Sequence, residues 1–216
     1  MALPSPNRLV RVHRFLTHTE AEGPGVRAAL WVQGCSRHCQ GCFNKESQNH
    51  DGGYTRTVDD LVFDILSHRE ELEGVTFVGG EPFEQAGPLA AIGTECKKSG
   101  LSVVTFTGHT YEELVSGQRQ DWKALLDVTD LLLDGPFVLA ECDTSRPWVG
   151  SRNQRFIFLT DRYRGLTERF KHMPNRLEIV VGADGSISLN GLAMPEEIEH
   201  ARKEMTALGL SLKGTK

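Results

Sequence analysis

Apolar residues fall along this chain in two alternating rhythms. Near-continuous runs at Leu9 to Phe15, Ala28 to Val32, Val75 to Val78, Leu101 to Phe106 and Val128 to Leu133 read as buried strands. Between them the period lengthens. From Thr57, an N-cap with Asp60 three residues on, Val58, Leu61, Val62, Ile65 and Leu66 recur at helical spacing, and Pro88 to Lys98 reads as a second helix stopped by Gly100. Glu22-Gly23-Pro24-Gly25 marks a turn between the first two strands. Strands this hydrophobic, with helices between them, predict parallel pairing through right-handed crossovers, and hence an α/β fold of the partial (β/α) barrel type. Reactive groups in such sheets gather at the carboxyl ends of strands. Four polar turns occupy that position here: Gly34 to Asn44, Gly79-Gly80-Glu81-Pro82, Thr107-Gly108-His109 and Asp134-Gly135.

The last quarter has a different pattern. Arg176 to Val181 and Ser186 to Leu189 alternate apolar and polar around Asp184-Gly185, which predicts a β-hairpin. Pro195 to Leu208 then reads as an amphipathic helix with Ile198, Ala201, Met205 and Leu208 on one side. We expect a core over residues 1–160 and an extension over 161–216 packed on the same domain.

Composition narrows the function without naming it. A chain of 216 residues fits one domain, given about 100–200 residues per domain. Net charge is −5 with the basic residues scattered, which leaves no electrostatic footprint for nucleic acid. The N-terminus has no leader pattern, and no apolar run approaches the roughly 18 residues of a membrane span. Five cysteines, three of them packed into eight residues, do not resemble a secreted disulfide framework, so the expected setting is a reducing cytoplasm.

Those three cysteines carry the chemistry. Cys35, Cys39 and Cys42 stand at Cys-x3-Cys-x2-Cys spacing in Gly34-Cys35-Ser36-Arg37-His38-Cys39-Gln40-Gly41-Cys42-Phe43-Asn44. Structural zinc sites and ferredoxin-type [4Fe–4S] clusters both close with four protein ligands. Three thiolates therefore leave one position open. The residues alone allow a catalytic cube with an open iron, or a non-catalytic zinc or iron–sulfur module in which His38 or His50 supplies the fourth ligand. Cys96 and Cys142 are isolated, and Cys96 falls in a predicted helix, so both read as ordinary small side chains.

The stretch Gly23-Pro24-Gly25-Val26-Arg27-Ala28-Ala29-Leu30-Trp31-Val32-Gln33-Gly34, continuing through the cysteines to Phe43-Asn44, resembles the signature of radical S-adenosylmethionine (SAM) activating enzymes. Gly79-Gly80-Glu81-Pro82, Thr107-Gly108-His109-Thr110-Tyr111-Glu112-Glu113-Leu114, Asp134-Gly135-Pro136-Phe137 and Trp148-Val149-Gly150-Ser151-Arg152-Asn153-Gln154 resemble further elements of that family in the same order. Gly41-Cys42-Phe43-Asn44 is similar to the ribonucleotide reductase branch of these glycyl-radical activases. The resemblance covers roughly residues 8 to 159 and stops before the hairpin.

It implies that Cys35, Cys39 and Cys42 hold three irons of one [4Fe–4S] cluster whose fourth iron binds SAM. Reductive cleavage would then give a 5′-deoxyadenosyl radical that takes a hydrogen atom from a glycine of a partner enzyme. It further implies cofactor contacts from Gly79 and Gly80, whose bare strand end lets backbone approach SAM, from Glu81 to the SAM amino group, and from Gly41 and Phe43 around the adenine. Thr107 and Asp134 are candidates for ribose, SAM or substrate. Too few cysteines remain for a second cluster, so the electron would come from flavodoxin or ferredoxin. The same core acting on another peptide or a small molecule is the alternative, motivated by the extra C-terminal segment.

Overall fold

The computed structural model describes residues 8–170, 172–181, 187–193 and 195–207. Seven strands form one sheet in the order β3-β1-β2-β4-β5-β6-β7. They are β1 (Leu9–Thr19), β2 (Arg27–Val32), β3 (Tyr54–Thr57), β4 (Gly74–Gly79), β5 (Ser102–Phe106), β6 (Leu131–Asp134) and β7 (Arg155–Phe158). The central four, β2, β4, β5 and β6, run parallel, as their apolar runs predict. The flanks do not. β1 pairs antiparallel with β2 and β3, and β7 pairs antiparallel with β6. The link from Thr19 to Arg27 is far too short for a crossover, so β1 must return beside β2 as a hairpin does. The result is an open (β/α) barrel with a parallel centre.

Local signals explain the helices. Thr57 caps α1 (Val58–Ser67) by accepting from Asp60 N–H, as its sequence position predicts. α2 (Ala86–Lys98) ends at Ser99, just before Gly100 at φ +84°. Thr110 and Glu113 close a capping box on α3 (Tyr111–Ser116). α4 (Gln120–Val128) takes Val128, which the sequence reading assigned to a strand. β6 starts only at Leu131, because Thr129 closes the helix by donating to Leu125 C=O, and Asp130 accepts from Val103 N–H, Lys97 and Thr160.

Alternation along the strands builds two cores. Ala28, Leu30 and Val32 join Val75, Phe77 and Val103 against Leu61 and Ile65 of α1, Leu89 and Ile92 of α2, and Leu125 of α4. The intervening residues Ala29, Trp31 and Val78, with Leu16 and Phe106, line the opposite, concave face. A single strand thus serves helix packing with one set of side chains and the cavity with the other.

Two buried features fix the strand ends. Arg27, fully buried at the start of β2, donates to Thr76, Pro24 C=O, Val75 C=O, Ser102 and Tyr163. Removing the guanidinium would leave these buried acceptors without their donor, at about 1–3 kcal/mol for a group left unsatisfied. At the other end of the same strand lies a seam without side chains. Gly80 N–H donates to Val32 C=O at 2.8 Å and Glu81 N–H to Gly34 C=O at 2.9 Å. A Cβ on Gly80 would lie 2.2 Å from the Gly34 carbonyl oxygen, and one on Gly79 2.7 Å from the Trp31 backbone.

The extension docks on β1. β8 (Leu177–Val181) and β9 (Ile187–Gly191) form the hairpin, whose turn at Asp184-Gly185 lies outside the described residues. Glu178 accepts from Thr19 Oγ1 and Glu20 N–H at 2.5 Å each, and Asn190 donates to Thr19 at 2.6 Å. Arg176 pairs with Glu20. α5 (Thr167–Phe170) brings Phe170 into a smaller cluster with Trp148 and Tyr163. α6 (Pro195–Ala207) carries the predicted Met205, which is buried, and Ala201, which is half-buried; Leu208 and the Ile198 side chain lie outside the described residues. Among the described residues no helix is long and apolar enough to cross a membrane.

Alanine at two glycines separates seam from helix. Gly80→Ala is expected to lower the thermal midpoint by several degrees or prevent folding, since its Cβ meets backbone at 2.2 Å. Gly87→Ala, inside α2 with only Asp121 Cβ at 3.9 Å, should raise stability by about 0.5–1 kcal/mol in the same melt.

Candidate functional site

The cysteine loop begins where β2 ends, at the carboxyl edge of the parallel strands. Its entry is tied to the segment that follows it. Gly34 N–H donates to Ser47 C=O at 2.8 Å and Cys35 N–H to Gln48 C=O at 3.1 Å. Cys42 N–H donates to Cys39 C=O at 3.2 Å, closing the tight turn between these two thiols. Two side chains brace the outside of the loop. Glu84 accepts from Ser36 N–H at 2.7 Å and bonds His50 at 2.8 Å, and Arg37 reaches His109 Nδ1 at 3.2 Å. Sequence reasoning missed Glu84, Arg37 and His109. The one available signal was Glu84 three residues after Glu81, on the same turn.

All three thiols open on one cavity of about 790 Å³, together with Phe43, Gly79, Gly80, Glu81 and Thr107. Trp31, Val78 and Phe106 from the concave face form its apolar wall. Phe43 is 38 % exposed and meets Phe137 edge-on at 5.3 Å between ring centres. The ring fits because position 150 is glycine, where a Cβ would lie 2.8 Å from Phe43 Cε2.

Other predicted contacts fall differently. Gly41, at φ +76°, is an exposed turn residue beside Leu139 and does not line the cavity. Asp134 does not line it either. Its carboxylate is fully buried and accepts from Tyr111 N–H at 2.7 Å and from Arg155, so it anchors the start of α3 to β7. Both carboxylate oxygens of Glu81, 1 % exposed, are engaged: Phe83 N–H and Thr107 Oγ1 donate to one, Gly108 N–H to the other. Burial holds the Glu81 carboxyl above the usual carboxylate range against these bonds. Gly79 and Gly80 do line the cavity, but they are glycines because β2 and Gly34 press on them from behind. Their bare backbone thus serves a close approach between strands on one side and faces the cavity on the other.

The donor set fits an iron–sulfur cube better than a single ion. Around one zinc at about 2.3 Å, tetrahedral geometry sets sulfurs roughly 3.8 Å apart. Among the described residues the cysteines form no set of ligand atoms all within 4.8 Å; the one such group is the surface cluster His18, His68 and Glu71. Neither proposed fourth ligand faces the cavity. His38 is exposed, and His50 is occupied by Glu84. Burial pushes the Cys35 thiol up to about 11, so ligation by thiolate there depends on metal displacing the proton.

Comparison with known proteins agrees with this donor set. Residues 21–157, more than half of the chain, match the family model of the 4Fe-4S single cluster domain. The anaerobic ribonucleoside-triphosphate reductase-activating protein of Vibrio cholerae is 32 % identical over 151 residues, which are 66 % of this chain and 94 % of that protein. Its counterpart in Escherichia coli K12 has the same identity over the same lengths. The pyruvate formate-lyase 1-activating enzyme of Escherichia coli K12 is 31 % identical over 130 residues, 57 % of this chain and 50 % of that enzyme. The chain therefore belongs to the 4Fe-4S single-cluster family that includes the anaerobic ribonucleoside-triphosphate reductase-activating proteins.

Proposed function

We propose that this chain is a radical SAM enzyme that installs a glycyl radical on a partner enzyme of the anaerobic ribonucleotide reductase type. The observation that carries the reading is the set of three cysteines, without His38 or His50 beside them, opening on a cavity at the carboxyl ends of parallel strands. Cys35, Cys39 and Cys42 would hold the cluster. When bound, the cluster and SAM supply a 5′-deoxyadenosyl radical able to remove a hydrogen atom.

The chain's own residues have narrower tasks. A primary carbon radical attacks neighbouring C–H bonds, so the site must be dry and its geometry fixed. Trp31, Val78 and Phe106 exclude water from the concave face. Phe43, at the mouth, offers an aromatic face to the adenine. Glu81 acts through the wall rather than on the ligand: by gathering Phe83, Thr107 and Gly108 it fixes the ends of β4 and β5 around the cofactor. Cys96 is buried in α2, and Cys142 stands apart, so we assign the electron to an external flavodoxin or ferredoxin and the setting to a reducing cytoplasm.

A second reading, the same radical on another peptide or a small molecule, is favoured by one observation. Leu177, Leu189 and Asn190 of the hairpin line the cavity, and the family match ends before them, at residue 157.

The test is anaerobic reconstitution followed by dithionite reduction and measurement of 5′-deoxyadenosine from SAM. The wild type is expected to release it, whereas Cys39→Ala should lose bound iron and release none; retained cleavage by Cys39→Ala would refute the ligand assignment. A glycyl-radical doublet in electron paramagnetic resonance on adding the reductase favours the first reading, and its absence with a competent reductase favours the second. Glu81→Gln places an amide N–H among backbone donors. It should keep iron content while weakening SAM binding and lowering stability by about 1–3 kcal/mol, read by equilibrium dialysis and urea unfolding.

A further inference from the structure

Arg14 is a cation with no carboxylate in direct contact among the described residues. It stands on β1 opposite Trp31, lines the cavity, and holds its guanidinium carbon 5.2 Å from the centre of the Trp31 ring. One N–H group donates to the Leu189 carbonyl of β9 at 3.1 Å. Among the described residues it makes no further hydrogen bond and no salt bridge. The carboxylates nearest in charge, Glu178 and Glu22, attract it through space without touching it. The Glu178 oxygens are engaged by Thr19, Glu20 N–H and Asn190, and burial raises Glu22 to about 8. A half-buried guanidinium that spends one N–H on a carbonyl keeps further donors for an acceptor that enters the cavity.

Its position suits a substrate. Arg14 lines the same cavity as Cys35, Cys39 and Cys42, so a molecule held by the guanidinium shares the space onto which the thiols open. The hairpin closes that side, and the Leu189 carbonyl together with the Trp31 ring sets the orientation of the guanidinium fork.

We propose that Arg14 forms an anion-binding subsite, closed by the C-terminal hairpin, that receives a carboxylate or phosphate group of the molecule from which hydrogen is taken. Calling that molecule the substrate rests on the radical reading above; the anion site itself does not. Both anion classes share the chemistry of a planar acceptor pair or a tetrahedral oxyanion meeting a guanidinium fork.

Cluster-reconstituted protein without SAM is titrated by calorimetry with sodium malonate and, separately, sodium phosphate, at constant ionic strength. The wild type is expected to bind at least one saturably. Arg14→Gln should weaken that binding about tenfold or more, and Arg14→Lys, which keeps charge but loses the fork, less. Malonate alone assigns a carboxylate, phosphate alone a phosphate. The proposal is overturned if neither anion binds saturably or if Arg14→Gln binds like wild type. Should that variant not fold, unaltered binding by Arg14→Lys overturns it. Release of 5′-deoxyadenosine by the wild type on the same preparation keeps the two ideas apart: anion binding without release defeats the radical reading alone, and release without anion binding defeats the subsite alone.

Discussion

The site depends on a contact between two strand ends that have no side chains. Gly80 lies so close behind Gly34 that a methyl group would reach within 2.2 Å of its carbonyl oxygen, and two backbone hydrogen bonds run across the same gap. Gly34 is the last residue before the first cysteine, and Gly80 the first residue past β4. The seam therefore joins the metal-binding loop to the turn that walls the cavity, and neither can move without the other. Arg27 secures the opposite end of β2 with its buried hydrogen bonds, so the strand that launches the loop is held at both ends.

From that seam outward, acidic side chains act as scaffolding. Glu81 gathers amides and a hydroxyl from the next strand end, Glu84 holds the loop at Ser36, and Asp134 joins α3 to β7. Glu81 and Asp134 satisfy buried or half-buried donors that would otherwise lack partners, whereas Glu84 works at the exposed rim of the loop. The cavity keeps the three thiols beside the apolar wall of Trp31, Val78 and Phe106, with polar side chains such as His13, Arg14, Arg37 and Glu46 around them, and the thiols suit soft metal chemistry.

Much of this was legible in the sequence where one physical signal dominated. The parallel strands were announced by unbroken apolar runs, α1 by the Thr57 cap and its periodicity, and the metal loop by thiol spacing. The missed elements are those whose stability comes from neighbours. β3 is the polar run Tyr-Thr-Arg-Thr and pairs only at the edge beside β1, and α4 buries little besides Leu125. Glu81 and Asp134 were correctly singled out as residues near strand ends, but sequence does not say whether a carboxylate turns to a ligand or to backbone N–H groups. Arg14 carried no signal at all, because its meaning comes from a hairpin more than 160 residues away closing over it.

That hairpin sets this chain apart from the family match, which ends at residue 157, yet it docks through a buried polar network and contributes to the cavity wall. The account rests on an iron left open by three thiols for SAM to occupy. Electron paramagnetic resonance of the anaerobically reduced protein, recorded before and after adding SAM, tests this most directly. The account predicts a reduced [4Fe–4S] signal whose line shape changes on SAM addition and which is absent from Cys39→Ala. A signal indifferent to SAM, or a protein that takes up one zinc ion and no iron, would contradict it.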